Sequence, residues 1–378
     1  MSRSCVEKIA DAVLYEGYIL YPYRPSAVKN QQRWNFGAVC PESYSDAQRG
    51  TESWTMQTEC LIQKNSLTNL EVKLRFLHLL TREVAALVPD CHLPNSDCGH
   101  REIQFLDSIS HFQLVKSLEV NGQLFQAWQE AIERDVCLPG INLSRAISQP
   151  EALNFAFPSS EQIEPLCDER SGEIVGVIIR RQQAIEGALK IHIADCGLPV
   201  GDSQSKKLSK VSVHILNLTP FQNAAQKSRD EALMRSFVST HTILNLHDGE
   251  FVSLLDPPEA FRESAAGCSN VGTYPVLAGE EGSRDCMLSS PIILYDYPQI
   301  APESAGNLFD GTEIDEILTL RIMTLTEEEK REMRGADDRA RQILERTETL
   351  PVEQLMRMHG AMRSLKPKER GKGQAAKG

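Results

Sequence analysis

Two stretches, Trp54-Thr-Met-Gln-Thr-Glu-Cys-Leu-Ile62 and Leu70-Glu-Val-Lys-Leu-Arg-Phe-Leu77, decide the fold. Both alternate with a period of two. In the second, Leu70, Val72, Leu74 and Phe76 fall on one face. Side chains of a strand point alternately to opposite faces, so this pattern is that of strands laid on an apolar core. Residues 65–69 between them read as a hairpin connection.

Outward from this pair, strand signals continue in both directions. Val13-Leu-Tyr-Glu-Gly-Tyr-Ile-Leu20 is rich in aromatic and β-branched residues and stops at Pro22 and Pro25, which predicts a strand. Residues 112–120 and the residues from Leu124 onward, joined by Asn121-Gly122, predict a hairpin, because Asn-Gly suits a tight turn with positive φ. The second arm also fits a helical face through Leu124, Trp128, Ala131 and Ile132. Residues 139–172 hold four prolines and read as connection. Strands are expected at 173–180, 188–194, 211–218, 272–277 and 292–295, with short helices near 229–237 and 258–266. A further hairpin is expected over 240–255, turned at His247-Asp248-Gly249.

From Asp310 the pattern becomes helical. Thr312-Glu-Ile-Asp315 caps a helix carrying Ile314, Ile317, Leu318 and Ile322. Thr326-Glu-Glu-Glu329 is a capping box, Asp337 and Asp338 open a third helix, and Pro351 sits at the start of a fourth. The expected fold class is α+β, mainly β: β-sandwich-like antiparallel sheets with a C-terminal helical segment. The expected divisions are a β-rich body over 1–305, with two sub-domains split near 140–172, then helices over 306–365. A basic tail over 366–378, with few apolar residues, reads as disordered.

Composition narrows the function. Of 378 residues 41% are hydrophobic and 24% charged, enough to bury a core, and the formal net charge is −12. Surplus acid argues against binding nucleic acid or an anionic lipid surface, both of which need surplus Lys and Arg. Glu7 and Asp11 interrupt any signal-peptide core, and no run of about 18 apolar residues suggests a membrane span. Ten scattered cysteines without a C-x-x-C pair fit a reducing cytoplasm, with thiols acting as small core residues.

Several groups could carry chemistry. Cys91, His92, Cys98 and His100 offer metal-ligand types, but their spacing matches no zinc pattern and no second half-site follows, so no bound metal or other cofactor is expected. His241, in Ser-Thr-His-Thr, could act as a general base with an acid from the 280–296 region, Asp285 or Asp296. No G-x-S-x-G elbow accompanies it. The 279–285 loop, with Glu280, Glu281, Arg284 and Asp285, matches no calcium loop. Tyr18, Tyr21, Tyr23 and Arg24, with Trp34 and Phe36, form an aromatic cluster of the type that anchors interfaces. Ile317, Leu318 and Ile322 form a helix face that packs on the sandwich or on a partner. Phosphate-loop, dinucleotide, H-E-x-x-H and EF-hand motifs are absent from the sequence.

Four blocks carry a family resemblance. They are Tyr15-Glu-Gly-Tyr-Ile-Leu-Tyr-Pro-Tyr-Arg-Pro-Ser-Ala-Val-Lys-Asn30; Arg229-Asp-Glu-Ala-Leu through Ser239-Thr-His-Thr242 to Ser253-Leu-Leu-Asp-Pro-Pro258; Ser289-Ser-Pro-Ile-Ile-Leu-Tyr-Asp-Tyr-Pro-Gln-Ile-Ala-Pro-Glu-Ser304; and Phe309-Asp-Gly-Thr-Glu-Ile-Asp-Glu-Ile-Leu-Thr-Leu-Arg321. Together they resemble a bacterial family of hypothetical proteins associated with nickel–iron uptake hydrogenase gene clusters. The resemblance implies a setting in hydrogenase biogenesis or operation and brings no catalytic residues. The first functional expectation is therefore a non-enzymatic accessory or assembly protein that binds another protein, a hydrogenase subunit or maturation factor. The alternative is a hydrolase or transferase using His241 with an acid from 280–296. A third reading is metal delivery through the 91–100 loop.

Overall fold

Thirteen strands occur among the described residues: β1 (Thr55–Leu87), β2 (Phe112–Val115), β3 (Ser117–Val120), β4 (Gln123–Gln126), β5 (Trp128–Asn142), β6 (Glu151–Phe157), β7 (Ser160–Cys167), β8 (Ile174–Gln182), β9 (Ile185–Val200), β10 (Ser203–Asn217), β11 (Val238–Val252), β12 (Tyr274–Leu277) and β13 (Cys286–Ser290). The structure is a computed structural model that describes residues 2–15, 24, 35–88, 111–200, 203–299, 319–336, 338–351 and 353. β3 and β4 form a separate hairpin, turned at Asn121 and Gly122, both with positive φ. The other eleven strands form one antiparallel sheet whose main path runs β12-β13-β11-β1-β10-β9-β6.

β1 organises that sheet. It is 33 residues long and pairs with β10, β11, β2, β5 and β8. The expected hairpins at 65–69 and 247–249 are both replaced by something else. Neither chain reverses. Lys64 pairs with Gly249 and Asn69 with His247, so β1 advances five positions while β11 advances two. The surplus residues form an unusually large bulge facing Asp248, which has a positive φ of 59°. Thr68, fully buried, closes it: its Oγ1 donates to the carbonyl of Asp248 at 2.5 Å and accepts from the backbone N–H of Asn65 at 2.9 Å. Both segments offer the polar residues of a turn, but each finds its backbone partner in the other strand.

Past this corner the sheet curls over its own inner face. Met56, Cys60 and Ile62 before the bulge and Leu70, Val72, Leu74 and Phe76 after it belong to one core, with Val211, Val213 and Ile215 of β10, Ile191 and Ile193 of β9 and Leu244 of β11. A single folded sheet thus supplies both layers of the sandwich-like body. Phe76, Phe155 and Phe237 meet within this core, with ring centroids 4.7–6.1 Å apart.

Helices cover the outer face. Residues expected to open a strand at Val13 instead end a helix, Ser2–Leu14. Val6, Ile9, Ala10, Val13 and Leu14 lie at i, i+3, i+4, i+7 and i+8, and this stripe is buried. Val6, Ile9, Ala10 and Val13 pack on Ile243, Val276 and Leu288 of the sheet. The helix is also pinned electrostatically. Arg75 of β1 donates to Asp11 at 2.6 Å and, on β5, to Glu133 at 3.1 Å and Asp135 at 3.0 Å. At the other end of the chain, Ile322, Leu325, Met333, Ala340 and Leu344 pack on Leu77 and Leu79 of β1. The helix Glu327–Arg334 begins with the expected capping box at Thr326 and is followed by the helix Asp338–Thr349. Arg82, buried on β1, donates to the carbonyl of Ala336 at 2.5 Å and so ties the turn between them to the sheet. Gly335 is required there, since a Cβ would overlap the carbonyl oxygen of Leu124.

The prolines of 139–172 mark strand edges and a bulge rather than a connection. Pro139 lies at the register shift of β5 opposite Leu70 and Val72. Pro165 lies in β7, which among the described residues pairs with β8 alone, and Pro150 and Pro158 flank β6. Proline cannot donate to a ladder but is tolerated where none is required. The strand expected at 292–295 is irregular, and the neighbouring strand is β13. Pro351 is described, but all save one residue of the helix expected after it, and the whole of the 366–378 tail, lie outside the described residues.

Replacing Thr68 by Val should lower stability by about 2 kcal/mol, because the Asp248 carbonyl and Asn65 N–H lose a buried partner. Thr68→Ser keeps the hydroxyl and should cost less than half as much. Urea midpoints with unchanged slope check this; equal midpoints for wild type and the Val variant would show that the corner does not need the hydroxyl.

Candidate functional site

His241 sits on β11 opposite Arg75 of β1 and is 1% exposed. Its Nδ1–H donates to the carbonyl of Ser239 at 2.7 Å, and its Nε2 accepts from Ser290 Oγ at 3.1 Å. Ser290 Oγ in turn accepts from the backbone N–H of Ile292 at 3.1 Å. Burial, with the Arg75 charge as a lesser cause, lowers the imidazole pKa to about 4, so it is neutral at pH 7. Both ring nitrogens are occupied and Ser290 is fully buried. The pair resembles a nucleophile and base in composition, but a carbonyl rather than a carboxylate orients the ring.

The acids expected beside His241 lie elsewhere. Asp285 is exposed and accepts from Ser283; its carbonyl takes the N–H of Leu246, five residues along β11, or roughly 17 Å away at strand rise. Asp296 accepts from Ser253 Oγ and from the backbone N–H of Leu277 at 2.8 Å. No catalytic constellation of His241 with either acid is assembled among the described residues.

What Asp296 does is hold a segment in place. With the Tyr297 N–H donating to the Leu277 carbonyl at 2.7 Å, it fastens 291–297 against the free edge of β12 and against the 253–256 loop. Along this segment Leu294 is buried in the core under the N-terminal helix, while its neighbours Ile293 and Tyr295 are 71% and 85% exposed. Leu255 and Tyr274, also exposed, flank the same staple, and Phe36 is exposed next to Gly37, which packs on Pro291. A Cβ at Gly37, whose φ is 55°, would collide with the Pro291 ring. The result is a set of large apolar side chains held outward by a rigid polar anchor. Sequence reading missed Ile293, Tyr295 and Leu255 because a Pro-rich segment has no periodicity to mark which side faces out.

A cleft of about 250 Å³ opens between the N-terminal helix and the outer sheet face, lined by Val6, Glu7, Lys73, Cys137, Leu138 and Ile243 among others. Lys73 is paired there with Glu7 at 3.3 Å and Asp135 at 3.0 Å, so the walls present little uncompensated charge. Burial raises the thiol pKa of Cys40 and Cys268 to about 11 and that of Cys60 further, which keeps these thiols protonated and poor as ligands or nucleophiles. Among the described residues no group of three or more His, Cys, Asp or Glu converges as a metal site.

Other expected site residues fall as follows. Tyr18, Tyr21, Tyr23, Trp34, Cys91, His92, Cys98, His100, Ile317 and Leu318 lie outside the described residues. Arg24 pairs with Glu329 at 3.0 Å and Glu332 at 3.6 Å on the helix Glu327–Arg334. Ile322, 1% exposed, is held in the protein's own core against β1. No helix among the described residues is long and apolar enough to cross a membrane. Compared with known proteins, the chain matches no family model and no curated protein.

A second buried histidine adds to the pH dependence. His78 on β1 is fully buried, and neither ring nitrogen has a hydrogen-bond partner; the backbone of Gln183 is nearby but out of bonding geometry. Burial, then the Arg134 charge, lowers its pKa to about 4. Both histidines therefore bind protons more weakly folded than unfolded. The stability each contributes is present above the unfolded value of about 6.5 and is lost as pH falls toward 4. Near pH 5 each should cost roughly 2 kcal/mol relative to pH 7. His78→Leu should remove its share without lowering the midpoint at pH 7, since an apolar side chain replaces an unpartnered polar one. Urea unfolding at the two pH values checks this; an unaltered pH dependence in the variant would exclude His78 as a source.

Proposed function

We propose that the protein is a non-enzymatic accessory protein that binds another protein, and that Leu255, Tyr274, Ile293 and Tyr295 form part of the contact surface. The observation that carries this reading is the exposure of Ile293 and Tyr295 on either side of buried Leu294, in a segment anchored by Asp296. A large apolar side chain left in water forgoes roughly 1.5–3 kcal/mol of burial. A segment this firmly fastened could not hide them by local collapse. Aromatic side chains on a rigid support lose little entropy on binding and are frequent interface anchors. Two of the sequence blocks that resemble the hydrogenase-associated family, 253–258 and 289–304, supply Leu255, Ile293 and Tyr295. That resemblance directs the search for a partner to a nickel–iron hydrogenase subunit or maturation factor in the cytoplasm.

The alternative, a hydrolase or transferase, rests on the contact between Ser290 Oγ and His241 Nε2. It requires the buried pair to open to solvent and an acid to replace the Ser239 carbonyl, and we place it second.

Ile293→Lys with Tyr295→Lys should leave the melting temperature within about 2 °C of wild type, since neither side chain is packed. Recovery of hydrogenase subunits with the tagged protein from its native cells should drop at least about tenfold, the effect of losing roughly 1.4 kcal/mol. Quantitative mass spectrometry of the co-purified proteins reads this. Undiminished recovery with a stable variant would remove this surface from the contact.

A further inference from the structure

The sheet ends on one side at β6, Glu151-Ala-Leu-Asn-Phe-Ala-Phe157, which pairs with β9 and with no other strand among the described residues. Natural edge strands are usually guarded by Lys, an internal Pro, a bulge or a covering element, because an open row of N–H and C=O groups recruits further strands. The opposite edge is guarded: β12 carries Pro275, and Asp296 and Tyr297 occupy both outward groups of Leu277. Among the described residues β6 has none of these devices. It holds no Lys, Arg or internal Pro, and its register with β9 runs without a shift from Glu151–Ile191 to Phe157–Ile185.

The hydrogen-bond phase shows which groups are open. On β9 the carbonyl of Glu186 takes the Leu218 N–H and its own N–H goes to Thr219 Oγ1, so Glu186 and alternate residues face β10. Gly187, Leu189 and Ile191 therefore face β6 and bond Phe155, Leu153 and Glu151, their partners in register. The backbone groups of Ala152, Asn154 and Ala156 are left pointing off the sheet. The side chains of these three are small, uncharged and exposed, and those of Leu153, Phe155 and Phe157 are only partly buried against the core.

We propose that β6 pairs antiparallel with β6 of a second copy of this chain, about a two-fold axis through Asn154. The strand is self-complementary in that register. Asn154 faces Asn154 of the second copy, Ala152 faces Ala156, and Leu153 faces Phe155. The three outward N–H and three outward C=O groups of each copy then close six hydrogen bonds. Glu151, the single charged residue of β6, falls opposite Phe157, which holds the two carboxylates roughly 20 Å apart at strand rise. The half-buried Leu153 and Phe155 gain cover from their counterparts. An isologous contact of this kind closes on itself, so it stops at a dimer.

The test uses the full chain at up to about 100 μM, well above a micromolar dissociation constant. Sedimentation equilibrium should give twice the 42.2 kDa chain mass. Asn154→Lys and Asn154→Glu each place like charges opposite one another at the axis and should each sediment as monomers with wild-type melting. Mixed in equal amounts, the two should form a dimer again. Amide exchange of the wild-type protein reads the same contact without a substitution: the N–H groups of Ala152, Asn154 and Ala156 should exchange more slowly as concentration rises. A wild-type monomer throughout the range overturns the proposal. So do a dimer that persists in both variants, a mixture that stays monomeric, or edge amides whose exchange ignores concentration.

Discussion

The contact between Thr68 and Asp248 is the constraint on which the rest depends. It lets two long strands bend at the same point without breaking the ladder between them. Without the bend, β1 would run straight, and its inner residues before and after the bulge could not share a core. With it, Met56 and Ile62 join Leu74 and Phe76 in one interior. The hydroxyl satisfies the carbonyl and amide that the bulge frees, which a buried apolar residue could not do. The corner is therefore a polar solution to a problem set by apolar packing.

Cations on β1 play the complementary part. Arg75 and Arg82 each reach from β1 to a helical segment that packs on the sheet, and each is buried. Burial alone disfavours the Arg75 charge, but Asp11, Asp135 and Glu133 more than offset it and raise the guanidinium pKa. Arg82 is less fully compensated: burial lowers its pKa despite Glu130, while its guanidinium also holds the Ala336 carbonyl. The N-terminal and C-terminal helices are thus positioned by specific hydrogen bonds as well as by apolar stripes, and a buried guanidinium left without its partners would be costly.

These covers and anchors pair many of the buried polar groups, His78 excepted, and leave a different residue set in water. His241 and Ser290 satisfy each other inside the wall of the sheet, which spends their chemistry on structure. Outside, the Asp296 staple and the open β6 edge are two places where apolar side chains or backbone groups are left without cover among the described residues. Both kinds of surface suit association with protein, one by side chains and the other by main chain.

The sequence alone determined the strand periodicity, because alternation records which face is apolar wherever it is half-buried. It also determined the helices that begin at Thr326 and Ser228, because a capping box is a local exchange of hydrogen bonds between residues three apart. The N-terminal helix was missed: Val6, Ile9, Ala10, Val13 and Leu14 keep helical spacing, but the aromatic run after Val13 reads as a strand. Only the tertiary structure decided whether Asn65–Asn69 and His247–Gly249 reverse the chain or merely bend it. The same Asn, Asp, Thr and Gly residues satisfy a turn and a bulge equally well, and what separates the two is the strand that arrives from almost two hundred residues away. Placement of His241 away from Asp285 and Asp296, and the outward aim of Ile293 and Tyr295, followed from that arrangement. Burial is a property of what packs on a residue, and no local pattern records it.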